Sequence, residues 1–277
     1  MVGLREGAGS QARVNAMRPL RELDATGVVG VFTDIDDTLT TDGRMPAQAY
    51  DALERLAGAG LAIVPVTGRS AGWAHMAIHL WPVRAVVAES GGACVYRDPS
   101  GRLQWLFHAP PEQVRRERER LAGVARQVLE AVPGLAPASD NPFRLVDLAL
   151  DYCEEVERVP DARVAEAIRM FRDAGFSARA STVHVNAWSG DFDKAPMALR
   201  YLREVAGARL PEDLERWIFV GDAPNDVSMF EAFPLSVGVA NILRFADRLP
   251  TPPAYVTEAA SSAGFVELAR HLLDARR

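Results

Sequence analysis

Residues 34–38, Asp-Ile-Asp-Asp-Thr, stand directly after a nearly continuous apolar run at residues 28–33. Runs of this kind suit a strand buried on both faces of a parallel sheet. In open α/β sheets, ligands bind at the carboxyl ends of the strands. Asp34 therefore sits where a ligand arrives, and Asp36 follows two residues later. A carboxylate is a feasible nucleophile toward phosphorus, forming an acyl phosphate. A second carboxyl nearby can protonate the leaving oxygen and then activate water. An Asp-rich turn before a helix explains the same letters, since Asp and Thr favour turns. This segment alone leaves both readings standing.

Three other segments repeat the arrangement. The run LAIVPVTGRS ends with Thr67, a hydroxyl donor, and Gly68, which lets backbone amides approach an anion. Its ordinary reading is a Thr-Gly helix cap. Lys194, in DFDKAPMALRYL, starts a helix, where a lysine is usually solvated. The run RWIFVGDAPNDVSMF ends another apolar stretch with Asp222, Asn225 and Asp226. Mg²⁺ takes a few hard oxygen ligands and keeps several waters, so carboxylates on two strand ends suit it. Each piece alone is loop chemistry; four such pieces at strand ends in one chain point to a phosphate and metal site.

Positioning these residues requires four buried strands, at residues 28–33, 61–67, 84–89 and 216–222, with helices between them. Pro46 opens one helix, whose Ala49, Leu53, Leu56 and Ala57 share a face. Ser70 is expected to cap a second that runs through His79. This alternation predicts a doubly wound α/β core. Residues 93–187 have a different texture. Pro110–Pro111 opens a helix striped with Val114, Leu121, Val124 and Val128, and Asp161 opens another with Val164, Ile168 and Phe171. Near them, Val146, Leu148, Leu150 and Tyr152 alternate with Asp147, Ala149 and Asp151. Val183, Val185 and Ala187 likewise alternate with His184, Asn186 and Trp188, as half-buried antiparallel strands do. An α+β domain at 93–187 is therefore expected, inserted in a core made of 27–92 and 188–277. The stretch RRERER at residues 115–120 reads as a solvated helix face, because glutamates interleave the arginines. Residues 1–26 are expected to be a disordered extension, residues 1–16 above all.

The bulk numbers exclude several classes. Of 277 residues, 48% are hydrophobic and 25% charged, an ordinary globular composition. A net charge of -6 argues against nucleic-acid binding. Cys94 and Cys153 are the two cysteines, without a C-x-x-C, so neither a disulfide framework nor a zinc site is expected, and a cytoplasmic location follows. No run of about 18 apolar residues suggests a membrane span.

The four segments in this order resemble the haloacid dehalogenase-like superfamily, over residues 27–92 and 188–275. Asp34-x-Asp36-x-Thr38 looks like its nucleophile and acid/base loop, Thr67 its second motif, Lys194 its third, and Gly221-Asp222-x-x-Asn225-Asp226 its fourth. The resemblance implies a Rossmann-like doubly wound sheet with an inserted α+β cap. It further implies a Mg²⁺-dependent phosphatase in which Asp34 attacks phosphorus, Asp36 is general acid then base, and Thr67 and Lys194 hold phosphoryl oxygens. Mg²⁺ would be bound by the Asp34 side chain, the Asp36 carbonyl and Asp222, with Asp226 and Asn225 supporting. Thr38, Gly68 and Arg69 are counted with the substrate-binding residues. The insertion point and the turn AESGGACVY resemble the branch of Cof-type, sucrose-phosphate and mannosyl-phosphoglycerate phosphatases, with Ser90 for the usual Asn and Ala195 for a common Gly. A sugar phosphate is thus the expected substrate. His184 and Asn186, on a cap face expected to stay uncovered with Trp188, would read its hydroxyls. A phosphomutase of the same superfamily is a rival, but its longer Gly-rich insertion before the Asn-Asp pair is missing here. A phosphate-binding module without turnover should have lost Asp34, Asp36, Lys194 or Asp222. The expected partner is a small phosphorylated molecule, with no nucleic acid or membrane, and the protein a monomer or homodimer.

Overall fold

The computed structural model describes residues 17–181 and 183–277. The expectation of disorder in residues 1–16 lies outside the described residues. The chain enters through β1 (Arg18–Pro19) and β2 (Gly30–Thr33), then α1 (Ala47–Gly58), β3 (Ala62–Pro65), α2 (Ala71–Leu80) and β4 (Ala85–Ala88). A hairpin follows, β5 (Ala93–Arg97) and β6 (Leu103–Phe107). Next come α3 (Pro111–Ala131), β7 (Ala136–Pro137), β8 (Leu148–Asp151), α4 (Asp161–Asp173), β9 (Ser177–Ala180) and β10 (His184–Trp188). The chain closes with α5 (Lys194–Glu204), β11 (Trp217–Gly221), α6 (Val227–Ala232), β12 (Leu235–Gly238), β13 (Tyr255–Val256) and α7 (Ser261–Asp274).

Six strands form one parallel sheet in the order β1-β13-β12-β11-β2-β3. Its strands are apolar on both sides because both faces are covered. Val31, Ile63, Ile218 and Val237 pack under α1 and α7 through Leu53, Leu56, Phe265 and Leu268. The alternate residues Phe32, Val64 and Phe219 pack under α5 and α6 through Tyr201, Leu202, Met229 and Phe230. Each such fully buried side chain stabilises the fold by about 1.5–3 kcal/mol. The core is α/β and doubly wound, with β2 and β11 side by side at its centre.

A second, antiparallel sheet has the order β7-β8-β10-β9. Leu148, Leu150, Val185 and Ala187 cover one face with the stripes of α3 and α4, including Leu121, Val128, Val164 and Phe171. The amphipathic pairing of helices with this sheet face matches the alternation in the sequence.

Three expectations are corrected. Residues 17–26 are part of the fold: Arg18 and Pro19 pair with Tyr255 and Val256, and Leu20, Leu23 and Ala25 are buried in the main core. Polar neighbours hide this short edge segment from any hydrophobic period. Residues 93–107 do not join the second sheet, as a boundary at residue 93 required. They pair antiparallel with β4, which a bridge between Val66 and Val87 connects to β3. Ser70 does not cap α2 with its side chain; the Ala71 amide donates instead to Glu89 Oε1 at 2.9 Å.

One glycine fixes how the turn after β4 meets α5. Gly91 has φ +101°, and a Cβ there would collide with the Asp193 carbonyl oxygen and lie 3.1 Å from the Lys194 nitrogen. Gly91→Ala is therefore expected to cost about 2 kcal/mol or more in urea denaturation and to lower activity through Lys194. Gly58→Ala, in a helix with open space around it, serves as the control and should be neutral or stabilising. Equal stabilities for the two variants would contradict this close approach.

Candidate active site

Asp34 follows β2, where its amide donates to the Val220 carbonyl at 2.9 Å and so ties it to the end of β11. Asp222 follows β11 itself, and Asp226 closes the short turn Pro224–Asp226. Lys194 opens α5, its amide received by the Asp193 carboxylate at 2.7 Å. From there Lys194 Nζ donates to Asp34 Oδ1 and to Asp226 Oδ1, both at 2.6 Å. Asp226 uses its other oxygen, Oδ2, to accept from the Asp222 amide at 3.0 Å and the Ala223 amide at 3.4 Å. Asp226 is thus a brace that sets the lysine and the Asp222 loop together.

Asp222 is oriented from its other side. Its Oδ2 accepts from Asn241 Nδ2 at 3.0 Å, and its Oδ1 lies 3.5 Å from the Thr38 hydroxyl. Asn241 also donates to the Asp37 carbonyl at 3.1 Å and accepts from the Ser261 amide at 2.9 Å. This residue joins both acidic loops, yet the sequence reading passed over it. It lies outside the apolar strand ends, and a single Asn in a loop carries no spacing signal.

Asp34, Asp222 and Asp226 each offer an oxygen within 4.8 Å of the others, and all three are buried. One ammonium faces these three carboxylates. Burial, then neighbouring carboxylates, push the Asp34 carboxyl well up, with Lys194 opposing. Burial and Asp226 push Asp222 up to about 7. Lys194 is raised in turn, since Asp226 and Asp34 outweigh its own desolvation. A buried cluster with this excess of negative charge takes up protons or a divalent cation, and hard oxygen donors suit the latter. The donor set therefore fits a divalent cation held by Asp34 and Asp222. Asn225 is exposed in the same turn.

A second group stands beside this one. Asp36 is half-exposed, and its carboxylate is gripped by Arg69: Nε reaches both oxygens at 3.1 Å and Nη2 reaches Oδ1 at 2.7 Å. The guanidinium carbon lies 4.8 Å from the centre of the Trp73 ring. Thr67 Oγ1 accepts from the Arg69 amide at 3.0 Å, leaving its hydroxyl proton free to donate elsewhere. A Cβ on Gly68 would meet Ser90 Oγ at 3.3 Å, so the backbone passes closely there.

The second sheet is fastened over these loops by buried charge. Glu89 is fully buried, and besides Ala71 it accepts from the amides of Leu145, Val146 and Asp147 at 2.7–2.9 Å. Arg144, also buried, pairs with Asp140 and Asp147 and donates to the Gly68 carbonyl at 3.3 Å. Burial pushes Asp147 up to about 7, with Arg144 opposing. Neither Glu89 nor Arg144 was assigned this role from the sequence. A charged residue at the end of an apolar run was the available signal for Glu89.

The expected reading face is only partly present. Trp188 is buried with Val114, Val146 and Phe192, because α5's leading loop folds back over it. His184 is largely covered, its Nε2 2.8 Å from Glu154. Asn186 is half-buried, opposite Ala149 and Arg179. The Asp36 carboxylate raises the basicity of Arg69, with Glu154 and Asp140 adding to it.

The family model for haloacid dehalogenase-like hydrolases matches residues 31–114. That stretch, which carries Asp34, Asp36, Thr67 and Arg69, is similar to those hydrolases. A phosphoglycolate phosphatase of Methanosarcina acetivorans is 27% identical over 241 residues, covering 86% of this chain and 93% of its own. Another, of Methanopyrus kandleri, is 26% identical and covers 88% and 97%. Among solved structures, a Thermoplasma acidophilum protein superposes with a TM-score of 0.67 at 16% identity, covering 89% and 98%. The sucrose-phosphatase of Synechocystis does so at 0.62 and 16%, covering 88% and 97%. These likenesses fix the fold of core and insertion together. No helix among the described residues is long and apolar enough to cross a membrane.

The raised Asp222 carboxyl has a consequence for stability without metal. Its folded-state value, about 7, exceeds the ordinary 3.8, so the folded protein holds the proton more tightly than the unfolded chain. Its contribution is complete below about pH 4 and is lost as pH rises through about 7. In EDTA the Tm should therefore fall from pH 5 to pH 8, and a divalent cation should raise Tm more at pH 8 than at pH 6. Asp222→Asn should flatten both trends. A Tm indifferent to divalent cations at every pH would contradict the assignment.

Proposed function

We propose that this hydrolase is a Mg²⁺-dependent phosphatase that removes the phosphoryl group of a small phosphorylated metabolite through an aspartyl-phosphate on Asp34. The observation that carries the reading is Lys194 bridging Asp34 and Asp226 in a buried acidic cluster at the sheet's carboxyl end. It supports the reading because a carboxylate able to act as nucleophile, a fixed ammonium and further carboxylates able to take a cation meet at one point.

The steps follow from the side chains. An Asp34 oxygen attacks phosphorus, and the bond to the ester oxygen breaks. Asp36 gives a proton to the departing oxygen, then takes one from the water that attacks the acyl phosphate. In the resting geometry a guanidinium, which has donors only, faces both Asp36 oxygens, so Asp36 must turn from Arg69 before it donates. Lys194 Nζ and the Thr67 hydroxyl hold the phosphoryl oxygens as negative charge moves from Asp34 through phosphorus onto the departing ester oxygen. Mg²⁺, held by Asp34, Asp222 and the Asp36 carbonyl, would neutralise the phosphate and orient it for attack.

The metabolite's nature is read less directly. The resemblance to the sugar-phosphatase branch leads one to expect a sugar phosphate read by His184, Asn186 and Trp188, but burial of Trp188 and pairing of His184 leave Asn186 alone of these three as a hydroxyl reader. The two phosphoglycolate phosphatases among the relatives favour a smaller, acidic leaving group.

Asp34→Asn is expected to abolish phosphate release while leaving Tm near that of the parent. Asp36→Asn should slow turnover by about 10²–10⁴-fold, less for p-nitrophenyl phosphate, whose leaving group needs no proton. EDTA should stop turnover and Mg²⁺ restore it. Phosphate release by the Asp34→Asn protein at the parental rate would refute the nucleophile.

A further inference from the structure

We propose that Arg69 is the receptor for a carboxylate on the leaving group, so that the substrate is a short phosphorylated acid; this rests on the phosphatase reading above. Arg69 grips Asp36 with a planar fork, two contacts at 3.1 Å and one at 2.7 Å, while Trp73 covers its other face. The fork is therefore preorganised for a carboxylate plane, and guanidinium–carboxylate pairs of this geometry are among the stronger hydrogen-bonded contacts.

Its position decides which carboxylate. Asp36 is the group that meets the ester oxygen, so the guanidinium next to it meets the first atoms beyond that oxygen. A carboxylate one carbon from the ester oxygen falls within that reach; the distant hydroxyls of a sugar do not. Two other buried cations of the site are already held. Lys194 is fixed between Asp34 and Asp226, and Arg144 is buried between Asp140 and Asp147. The partner of Arg69 differs, because the Asp36 side chain is 46% exposed and free to swing away. Glu154 and Asp140, the other acids near Arg69, are themselves paired with His184 and Arg144 and do not compete for the fork.

A substrate carboxylate that replaces Asp36 on Arg69 accomplishes two things. It anchors the leaving group, and it leaves the Asp36 side chain to turn toward the ester oxygen. A phosphate ester lacking the carboxylate would have to displace Asp36 with nothing in exchange.

The test compares phosphoglycolate with 2-hydroxyethyl phosphate, which replaces the carboxylate by a neutral hydroxymethyl group. Both are measured with the parent, Arg69→Lys and Arg69→Gln proteins, with Mg²⁺ present. Any effect of Arg69 on Asp36 enters both substrates alike and cancels in their ratio. The parent should prefer phosphoglycolate in kcat/KM, and Arg69→Gln should reduce that preference by about 50-fold, chiefly through KM. Arg69→Lys, which keeps the charge but not the fork, should fall between. A preference that survives in Arg69→Gln, or a parent without one, overturns the proposal. Titration calorimetry of the same two compounds gives a readout independent of turnover, with the same discrimination and the same loss in Arg69→Gln expected. Failure of the parent to hydrolyse either compound or p-nitrophenyl phosphate would count against the phosphatase reading. Calorimetry would then decide the receptor on its own, with equal affinities for the two compounds overturning it.

Discussion

The ammonium of Lys194 holds the site together. It is 1% exposed and touches two carboxylates from different loops, Asp34 after β2 and Asp226 after β11. Without it, buried carboxylates would face each other unpaired, and breaking a buried pair in this way costs about 3–5 kcal/mol. The neighbouring architecture serves that contact. Parallel pairing of β2 with β11 brings the two loops level. Gly91 lets the turn after β4 press against the start of α5, which carries the lysine. Asp226 passes the constraint onward through its second oxygen to the Asp222 backbone. The excess negative charge that remains is what would draw a divalent cation to the cluster.

Glu89 performs a parallel task for the second sheet. One buried carboxylate takes the first amide of α2 and three consecutive amides at residues 145–147, so a helix of the core and a loop of the insertion share one acceptor. Arg144 adds a contact to the Gly68 carbonyl. Gly68 and Arg69 follow Thr67, so this fastening ends at the loop that grips Asp36. Two separate buried charge networks, one around Lys194 and one around Glu89 and Arg144, thus set the loops on either side of Asp36.

Much of the core was legible because its physics is local. Strands buried on both faces show continuous apolar runs, and polar residues at their ends are conspicuous; Asp34, Thr67 and Asp222 stand out for that reason. The helix stripes of α3 and α4 were legible from their 3.6-residue spacing. What escaped was long-range. Nothing in the spacing of residues 17–26 says that they add an edge to the sheet through Tyr255 and Val256. The hairpin of β5 and β6 resembles the alternating strands after it, and only its pairing with β4 assigns it to the core side. Trp188 alternates with Ala187 as an outward residue should, yet a returning loop buries it against Phe192. Asn241 and Glu89 act through partners roughly 20 to 60 positions or more away, a relation that single-segment patterns do not carry.

The central claim is that phosphate passes through a covalent bond to Asp34. It is tested most directly by quenching the enzyme during turnover, reducing any acyl phosphate with borohydride, and sequencing the peptides. Reduction of an aspartyl phosphate converts that residue to homoserine. The account requires homoserine at position 34, in amounts that depend on both substrate and Mg²⁺. Homoserine at another aspartate, or phosphate released with no reducible acyl phosphate under the same conditions, would contradict it.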